Sequence, residues 1–384
     1  MEKQARVALV GAGVTRLGTL PDESGAMLAC DAMLAAIEDA GLRRDDIGAV
    51  VYQPGVGVGA VGEAVRRLGL PADCFLELQS GGATAIASIL VAAGILHQKQ
   101  ASYVISVIAT KARSSRVLIG QSNEEQGHES VWGMFSPGAR NAMRARHYLA
   151  TYALDTDALA WPAIRQREHA NKRPDAVFHD RPLTLEDHRA SPWVAEPLRR
   201  DDYCLVNDGA AAFVITTADA AADLRKKPVV VMGAGMSHTA RSATRGSSDY
   251  TSDLGTVSTA ARETAFGQAG VSISDIDVAE LYDPFSIYPL MHLEAYGWCG
   301  PGEASEFIKA GHASLGGTIP ANTHGGHLAW GYLQGYGPLV EGARQLWGEG
   351  GATQVEGARL ALVTGSGGTQ AGSPAFANAV LGVR

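Results

Sequence analysis

Residues that can transfer protons are concentrated in one glycine-rich stretch of the chain. It runs from Pro320 to Gly337 and holds five glycines, two histidines, two tyrosines and one asparagine. Glycine lets backbone N–H groups approach a ligand, while histidine and tyrosine can exchange protons with a substrate. Another candidate, Tyr282, lies fifty residues upstream. These residue types predict a site for acid–base chemistry, and the competing interpretation is a glycine-rich turn around one buried tyrosine.

The composition is that of a globular protein and argues against several classes of function. Hydrophobic residues make up 46% and charged residues 19% of the 384 positions. The net charge of −8 disfavours nucleic acid as a partner, because phosphate binding requires a basic face. The longest apolar run, 85–96, is too short to cross a bilayer and is expected to be a buried helix. The N-terminus shows no signal-peptide core. We therefore expect a cytoplasmic enzyme without a membrane segment.

The four cysteines give no sign of a metal site or a disulfide framework. They lie far apart in the sequence, and no C-x-x-C pair occurs among them.

Both halves of the chain repeat one plan of strand, turn, helix and strand. Each unit contains a Gly-Ala-Gly turn, a helix that ends at an Ala-Gly dipeptide, and a strand that begins at an Asp-Ile dipeptide. The first unit comprises strand 7–10, turn Gly11–Gly13, helix Ser24–Ala40 and strand Asp46–Tyr52; the second comprises strand 229–232, turn Gly233–Gly235, helix 259–269 and strand Asp275–Leu281.

A further helix and strand recur in each half. They are predicted at 83–97 with 103–107, and at 338–347 with 358–363, while the strand 208–215 closes the first half. The pattern predicts two similar α/β halves, residues 1–225 and 226–384. The segment from about 110 to 200 interrupts the repeat and is predicted to be an inserted loop region over the site.

One motif invites a different interpretation. Gly57–Gly62 fits the G-x-G-x-x-G fingerprint of dinucleotide-binding proteins and follows an apolar strand. The strand is not the first of its half, and the run is a simple alternation of glycine and valine. We therefore do not predict a nicotinamide or flavin site.

Several blocks of sequence carry a resemblance to the thiolase superfamily, and more narrowly to its sterol-carrier-protein-X and lipid-transfer-protein-like branch. The blocks are Leu281–Phe285, Leu293–Cys299, Asn322–Gly326, Glu341–Leu346, Gly365–Gly368, Pro197–Arg199 and Asn207–Ala212. The resemblance covers nearly the whole chain. It implies a thiolase fold, in which two βαβαβ-type halves pack as a five-layer αβαβα sandwich.

The departures from the thiolase pattern bear on the chemistry. Gln79 stands where the resemblance places the nucleophilic cysteine, and an amide cannot be acylated as a thiolate can. Tyr332 stands at the position of the histidine that activates this cysteine, and the second cysteine is missing because Cys299 is the last in the chain. Covalent thiolysis is therefore excluded. The other part of thiolase chemistry, stabilisation of an acyl-CoA enolate, remains.

An enzyme that stabilises an enolate without a nucleophile can break a carbon–carbon bond by a retro-aldol reaction. The chain resembles the thiolase-like aldolases of bacterial steroid side-chain degradation, which implies a β-hydroxyacyl-CoA substrate cleaved to a ketone and a short acyl-CoA. The resemblance implies proton transfer by Tyr282 and Tyr332, with His324 and Asp283 as supporting catalytic groups. Residues expected to line the substrate pocket are Gln79, Asn322, Gly325, Gly326, Gly367 and Gly368.

Further expectations follow from the same resemblance. They are a homodimer, a complex with a small zinc-ribbon/OB-fold acyl-CoA-associated protein, and no cofactor apart from the coenzyme A of the substrate. Asp283 could orient a tyrosine or cap a turn, and Tyr336 could replace Tyr332 if the loop register differs by a turn. His327, His292 and His312 are expected to be mainly structural. Two rival functions remain: a cysteine-less acyltransferase or Claisen-type enzyme, and a non-catalytic acyl-CoA- or lipid-binding subunit.

Overall fold

A computed structural model describes residues 6–56, 61–116, 136–238, 259–368 and 374–383 of the chain. Within these ranges, nine strands form one mixed sheet in the order β3-β2-β4-β7-β1-β8-β11-β10-β9. The strands are β1 (Val7–Val14), β2 (Ile47–Gln53), β3 (Cys74–Glu77), β4 (Tyr103–Lys111), β7 (Asp208–Thr217), β8 (Val229–His238), β9 (Val278–Glu280), β10 (Leu360–Gly368) and β11 (Pro374–Gly382). A separate hairpin comprises β5 (Trp193–Ala195) and β6 (Leu198–Arg199).

The helices of the described ranges lie between these strands in the sequence, singly or in groups. They are α1 (Gly25–Asp39), α2 (Gly62–Leu68), α3 (Thr84–His97), α4 (Pro137–Thr151), α5 (Ala160–Ala170), α6 (Leu185–Ala190), α7 (Ala218–Ala221), α8 (Thr259–Ala269), α9 (Ile287–Tyr296), α10 (Ala304–Lys309) and α11 (Tyr336–Trp347). One π-helical turn, Gly326–Trp330, precedes α11. Among the described helices, none is long and apolar enough to cross a membrane.

The strand order shows the internal repeat directly. The first half contributes β2-β4-β7-β1 and the second contributes β9-β10-β11-β8, so the two halves meet where β1 pairs with β8. Strand β3 has no counterpart among the described strands of the second half. It forms one edge of the sheet and exposes Phe75 and Leu76, while the opposite edge, β9, is bridged at Ala279 by Ala321. The division into residues 1–225 and 226–384 stays a prediction.

Three apolar layers separate the helices from the sheet. Helices α3 and α11 form the central layer, and α3 contacts strands of both halves. Helices α1 and α2 cover the outer face of the first half, and α8, α9 and α10 cover that of the second. This arrangement gives the five-layer thiolase fold that the sequence resemblance implied. The run 85–96 lies in α3, which confirms the predicted buried helix.

The Gly-Ala-Gly segments are not turns, which corrects the prediction. Gly11 and Gly13 lie inside β1, and Gly233 and Gly235 lie inside β8. A Cβ on any of them would overlap a backbone carbonyl of the helix that packs on the strand, α1 or α8. The glycines therefore allow a helix backbone to approach a strand closely, which strand glycines commonly do. The predicted ends of these two helices are confirmed. Gly41 and Gly270 both adopt the left-handed backbone conformation that terminates a helix.

The segment from about 110 to 200 is richer in structure than predicted. It contains α4, α5, α6 and the β5–β6 hairpin, and α5 packs against the π-helical turn. The arginines, histidines and prolines of this segment interrupt the regular spacing of apolar residues from which helices are predicted. Of the fingerprint at Gly57–Gly62, residues 57–60 lie outside the described residues, and Gly62 begins α2.

Replacing Gly233 tests the close strand–helix approach. In Gly233→Ala the added Cβ overlaps the carbonyl oxygen of Ala265, so we expect the free energy of unfolding to fall by about 1–3 kcal/mol. The matched control is Gly267→Ala, on the exposed side of α8, the helix that contains Ala265. A Cβ at Gly267 meets no atom within 4 Å. The stability of this control should stay unchanged or rise by up to about 1 kcal/mol. Urea denaturation measures both, and equal effects would contradict the packing argument.

Candidate active site

Two tyrosine side chains meet at the centre of the site. The hydroxyl oxygens of Tyr282 and Tyr332 lie 3.0 Å apart and share a hydrogen bond. Tyr282 follows β9 and is buried, whereas Tyr332 follows the π-helical turn and is half-buried. Fifty residues of chain therefore separate two groups that the fold brings into direct contact.

Tyr282 is fixed by two neighbouring elements. Its backbone N–H donates to Oγ1 of Thr364 in β10, at 2.8 Å. Its ring lies directly against Gly82, where a Cβ would overlap the ring. Gly82 belongs to the short 3-10 turn Gly81–Ala83, which lies between Gln79 and α3 in the sequence. The missing side chain at Gly82 thus creates the space that Tyr282 occupies.

Asn322 holds the backbone immediately before Tyr282. Its Oδ1 accepts from Leu281 N at 2.7 Å, and its Nδ2 donates to Leu281 O at 2.9 Å. The residue is buried and has a φ of 49°, a conformation that asparagine tolerates better than most residues. We assign Asn322 a positioning role, because both ends of its amide bind this backbone.

Tyr332 depends on a residue that the sequence analysis did not select as part of the site. Its backbone N–H donates to Oδ1 of Asn207 at 2.6 Å, and Asn207 immediately precedes β7. Gly331 packs on Leu17, since a Cβ at Gly331 would lie 2.5 Å from Leu17 Cδ1. The signal was present in the sequence, because Asn207 opens one of the blocks that carried the family resemblance.

Asp283 caps the π-helical turn. The carboxylate is fully buried and accepts from the backbone N–H of His327 at 2.9 Å and of Leu328 at 3.4 Å. Of the two roles considered for Asp283, turn capping is therefore the one with direct contacts. Gly326 leaves room for this carboxylate, because a Cβ there would overlap Asp283 Oδ2.

His327 lies between the two phenols, although the sequence analysis assigned it a structural role. Its ring centroid is 5.0 Å from that of Tyr282 and 5.1 Å from that of Tyr332, both in T-shaped contacts. His327 directly follows the Asn-Thr-His-Gly-Gly block, and nothing in that local sequence indicates a contact with Tyr282.

His324 faces a different group of residues. Its Nδ1 lies 3.1 Å from Oε2 of Glu280, and its ring packs on Trp330. Burial lowers the pKa of His324, but the hydrogen bond and charge of Glu280 outweigh it and raise the pKa above its ordinary value. Thr323 joins Glu280 to Glu341, with hydrogen bonds of 2.7 and 3.0 Å. A catalytic role for His324 stays a prediction.

The predicted pocket glycines divide into two places. Gly325 and Gly326 have left-handed φ values of 105° and 59°, and Gly325 packs on Ala170 of α5. Gly367 packs on the 3-10 turn at Gly82, and Gly368 is the last residue of β10. Contact of these glycines, or of Gln79, with substrate stays a prediction.

Tyr336 does not belong to the phenol pair. It is fully buried in α11, and its hydroxyl lies 2.9 Å from Oγ of Ser106. The register that would exchange Tyr336 for Tyr332 is therefore not the one observed.

Burial raises the pKa of both site phenols above the ordinary value near 10. For Tyr282 the neighbouring Tyr332 adds to this effect, while for Tyr332 the hydrogen bond from Tyr282 partly offsets it. Both hydroxyls are consequently protonated near neutral pH. The pair can pass a proton from one oxygen to the other, which suits a reaction that moves a proton within the substrate.

Several known proteins are similar to this chain. Residues 233–377 match the family model described as thiolase C-terminal domain-like. A 17-hydroxy-3-oxo-4-pregnene-20-carboxyl-CoA lyase of Mycobacterium tuberculosis is 32% identical, over 94% of this chain and 96% of the relative. A steroid side-chain-cleaving aldolase of Thermomonospora curvata is 33% identical, over 89% and 90%. The solved Ltp2-ChsH2(DUF35) aldolase matches with a TM-score of 0.86 at 30% identity, over 98% of each chain.

The chain belongs to the thiolase superfamily, as its layered fold and its matches to these relatives establish. Within that superfamily it falls with the thiolase-like aldolases.

Removing the amide of Asn322 tests how the site is held. Asn322→Ala leaves the backbone groups of Leu281 unpaired in a buried setting, so we expect a loss of about 2–4 kcal/mol in the free energy of unfolding. Asn171→Ala is the control, since the Asn171 side chain accepts from Arg181 N in an exposed setting. Its expected cost is about 1 kcal/mol or less. Chemical denaturation compares the two, and a loss for Asn322→Ala no larger than the control would refute the positioning role.

Proposed function

We propose that this protein is a carbon–carbon lyase that cleaves a β-hydroxyacyl-CoA thioester by a retro-aldol reaction. The observation that carries the proposal is the 3.0 Å contact between the hydroxyls of Tyr282 and Tyr332, in a thiolase fold where Gln79 stands in place of the nucleophile. The named activities of the two relatives and of the solved aldolase support the same reaction class.

The reaction moves one proton and breaks one bond. One phenol takes the proton of the β-hydroxyl as the carbon–oxygen bond becomes a carbonyl. The electron pair of the Cα–Cβ bond moves to the α-carbon and spreads onto the thioester oxygen as an enolate. The other phenol gives its proton to the α-carbon, and the hydrogen bond between the phenols restores both hydroxyls. The products are a ketone and a shortened acyl-CoA, with no net change in the enzyme.

The raised pKa values favour a coupled transfer. A free phenolate would be costly in this pocket, because burial penalises the charged form of both tyrosines. Each phenol can instead accept one proton while it releases another, so neither oxygen needs to remain charged. General acid–base catalysis of this kind contributes roughly 10²–10⁴-fold to the rate.

The substrate and the assembly follow from the named relatives. A steroid side-chain thioester, with the hydroxyl on the ring-attachment carbon, is the substrate we infer, because both relatives are named for steroid chemistry. The solved aldolase is named as an Ltp2-ChsH2(DUF35) pair, so we propose a complex with a small zinc-ribbon/OB-fold protein built around a homodimer of this chain. We also propose a cytoplasmic enzyme whose only coenzyme A is that of the substrate.

Two rival functions make different demands on the site. An acyltransferase must carry its acyl group on an enzyme residue, whereas Gln79 offers no such nucleophile. A non-catalytic subunit has no need of two hydrogen-bonded phenols. Labelling of an enzyme residue by acyl-CoA would favour the first rival, and insensitivity to loss of the phenols would favour the second.

Removing one hydroxyl tests the proposed function. In Tyr332→Phe and in Tyr282→Phe the proton relay is broken, so we expect kcat to fall by about 10²–10⁴-fold while the melting temperature changes little. Tyr103→Phe, on a half-buried tyrosine at the start of β4, is the control and should keep wild-type turnover. Mass spectrometry of ketone release, with the partner protein present, measures the rates. Wild-type turnover in both site variants would exclude the mechanism.

The pH dependence gives a second test. The reactive pair is protonated, and its raised pKa values keep it so above the ordinary range of tyrosine. We therefore expect that phenol ionisation does not lower kcat at any pH up to about 10. Rates should be corrected for spontaneous thioester hydrolysis, and circular dichroism should confirm that the protein stays folded. A titration that inactivates the folded enzyme between pH 7 and 9, and is absent from Tyr282→Phe, would contradict this assignment.

A further inference from the structure

His327 contacts the rings of both site phenols. It is fully buried in the π-helical turn. Its Nε2 lies 2.6 Å from the carbonyl oxygen of Gln334, and its Nδ1 lies 2.8 Å from Oδ1 of Asp283. The ring is therefore held from both ends, by the segment after β9 and by the loop before α11.

Both phenol rings pack on this one ring. The interplanar angles are 70° for Tyr282 and 72° for Tyr332, so the two contacts are nearly equivalent. Such edge contacts fix ring orientation as well as distance. A change in the position of His327 would move both hydroxyls, and the 3.0 Å contact between them depends on it.

The contacts also indicate which nitrogen of His327 carries a proton. A carbonyl oxygen can only accept, so Nε2 donates to Gln334 O. At the other end of the ring, Nδ1 lies 2.8 Å from Asp283 Oδ1 and 3.4 Å from Asp283 N. These contacts fix the plane of the ring between the segment after β9 and the loop before α11.

The backbone of His327 is held as well as its ring. Leu205 N donates to His327 O at 2.9 Å, and Leu205 lies in the segment that leads to Asn207. Because Asn207 accepts from the backbone N–H of Tyr332, the same segment fixes both His327 and Tyr332.

We infer that His327 is a positioning residue for the proposed retro-aldol reaction, which sets the geometry of the phenol pair. The inference rests on the proposed function. Proton transfer between the two hydroxyls requires that they stay within hydrogen-bond distance, so a ring that contacts both phenols controls the rate of that transfer. Asp283 acts through His327, since its contacts reach the ring and the turn and not the phenol oxygens.

Two substitutions at His327 test the inference. His327→Phe keeps a ring between the phenols but removes both ring nitrogens, and His327→Gln keeps a donor for Gln334 but removes the ring. Because each change displaces the phenols, we expect kcat to fall about 10- to 100-fold in each, with KM changed less than about threefold. His312→Gln is the control, because His312 is exposed and bonds to Thr318. It should retain wild-type rates.

A second measurement does not depend on turnover. Tyrosinate absorbance, with a Tyr282→Phe/Tyr332→Phe double variant as the blank, follows ionisation of the phenols in folded protein. The pH of the first ionisation should rise by about one unit in His327→Phe, because displaced phenols lose the hydrogen bond through which Tyr282 lowers the pKa of Tyr332. A merely structural histidine would lower the melting temperature and leave this titration unchanged.

The possible outcomes separate the two proposals. A fall in kcat together with the upward titration supports the role of His327. Wild-type kcat, or an unchanged titration in a folded variant, overturns it. If His327→Phe does not fold, His327→Gln carries the same test. Absence of ketone release by the wild-type complex would refute the proposed function itself, whereas an unchanged His327→Phe beside an inactive Tyr332→Phe would refute only this inference.

Discussion

The hydrogen bond between Tyr282 and Tyr332 is the interaction on which the proposed chemistry depends. A phenol in water titrates near pH 10 and offers little as a base. Burial makes ionisation harder still, so a single tyrosine in this pocket would be an inert donor. Two hydrogen-bonded phenols behave differently, because a proton accepted by one can leave from the other. In the proposed reaction this proton path takes the place of a covalent intermediate.

The fold brings this pair together from distant segments of the second half and supports it with the first. Tyr282 follows a short strand, and its place is fixed by Asn322, by Thr364 of β10 and by Gly82 in the turn before α3. Tyr332 is fixed by Asn207 at the start of β7. Because this turn and β7 belong to the first half, neither half alone contains a complete site.

The sequence predicted the broad architecture well because the repeat rests on side-chain periodicity. The helices at 24–40 and 259–269 and the glycines that end them were found at their predicted places. The Gly-Ala-Gly segments were misread, since glycine also occurs where a helix backbone presses on a strand. That contact depends on tertiary packing, which no local pattern of residues reveals.

The candidate site was predicted in part. The two tyrosines were selected because their neighbours resembled family blocks, and the structure places their hydroxyls in contact. Asn207 and His327 were not selected, since their importance lies in contacts with residues that are distant in sequence. His324 was selected for its motif, yet its ring faces Glu280 in a buried network of charges.

The two edges of the sheet differ. Among the described residues, β9 is bridged at Ala279 by Ala321, whereas β3 pairs with β2 alone and exposes Phe75 and Leu76. Unpaired strand edges template the pairing of chains. Two copies joined edge to edge through β3 would place a twofold axis at that edge, and the bridged β9 strands would lie at the two ends of the combined sheet.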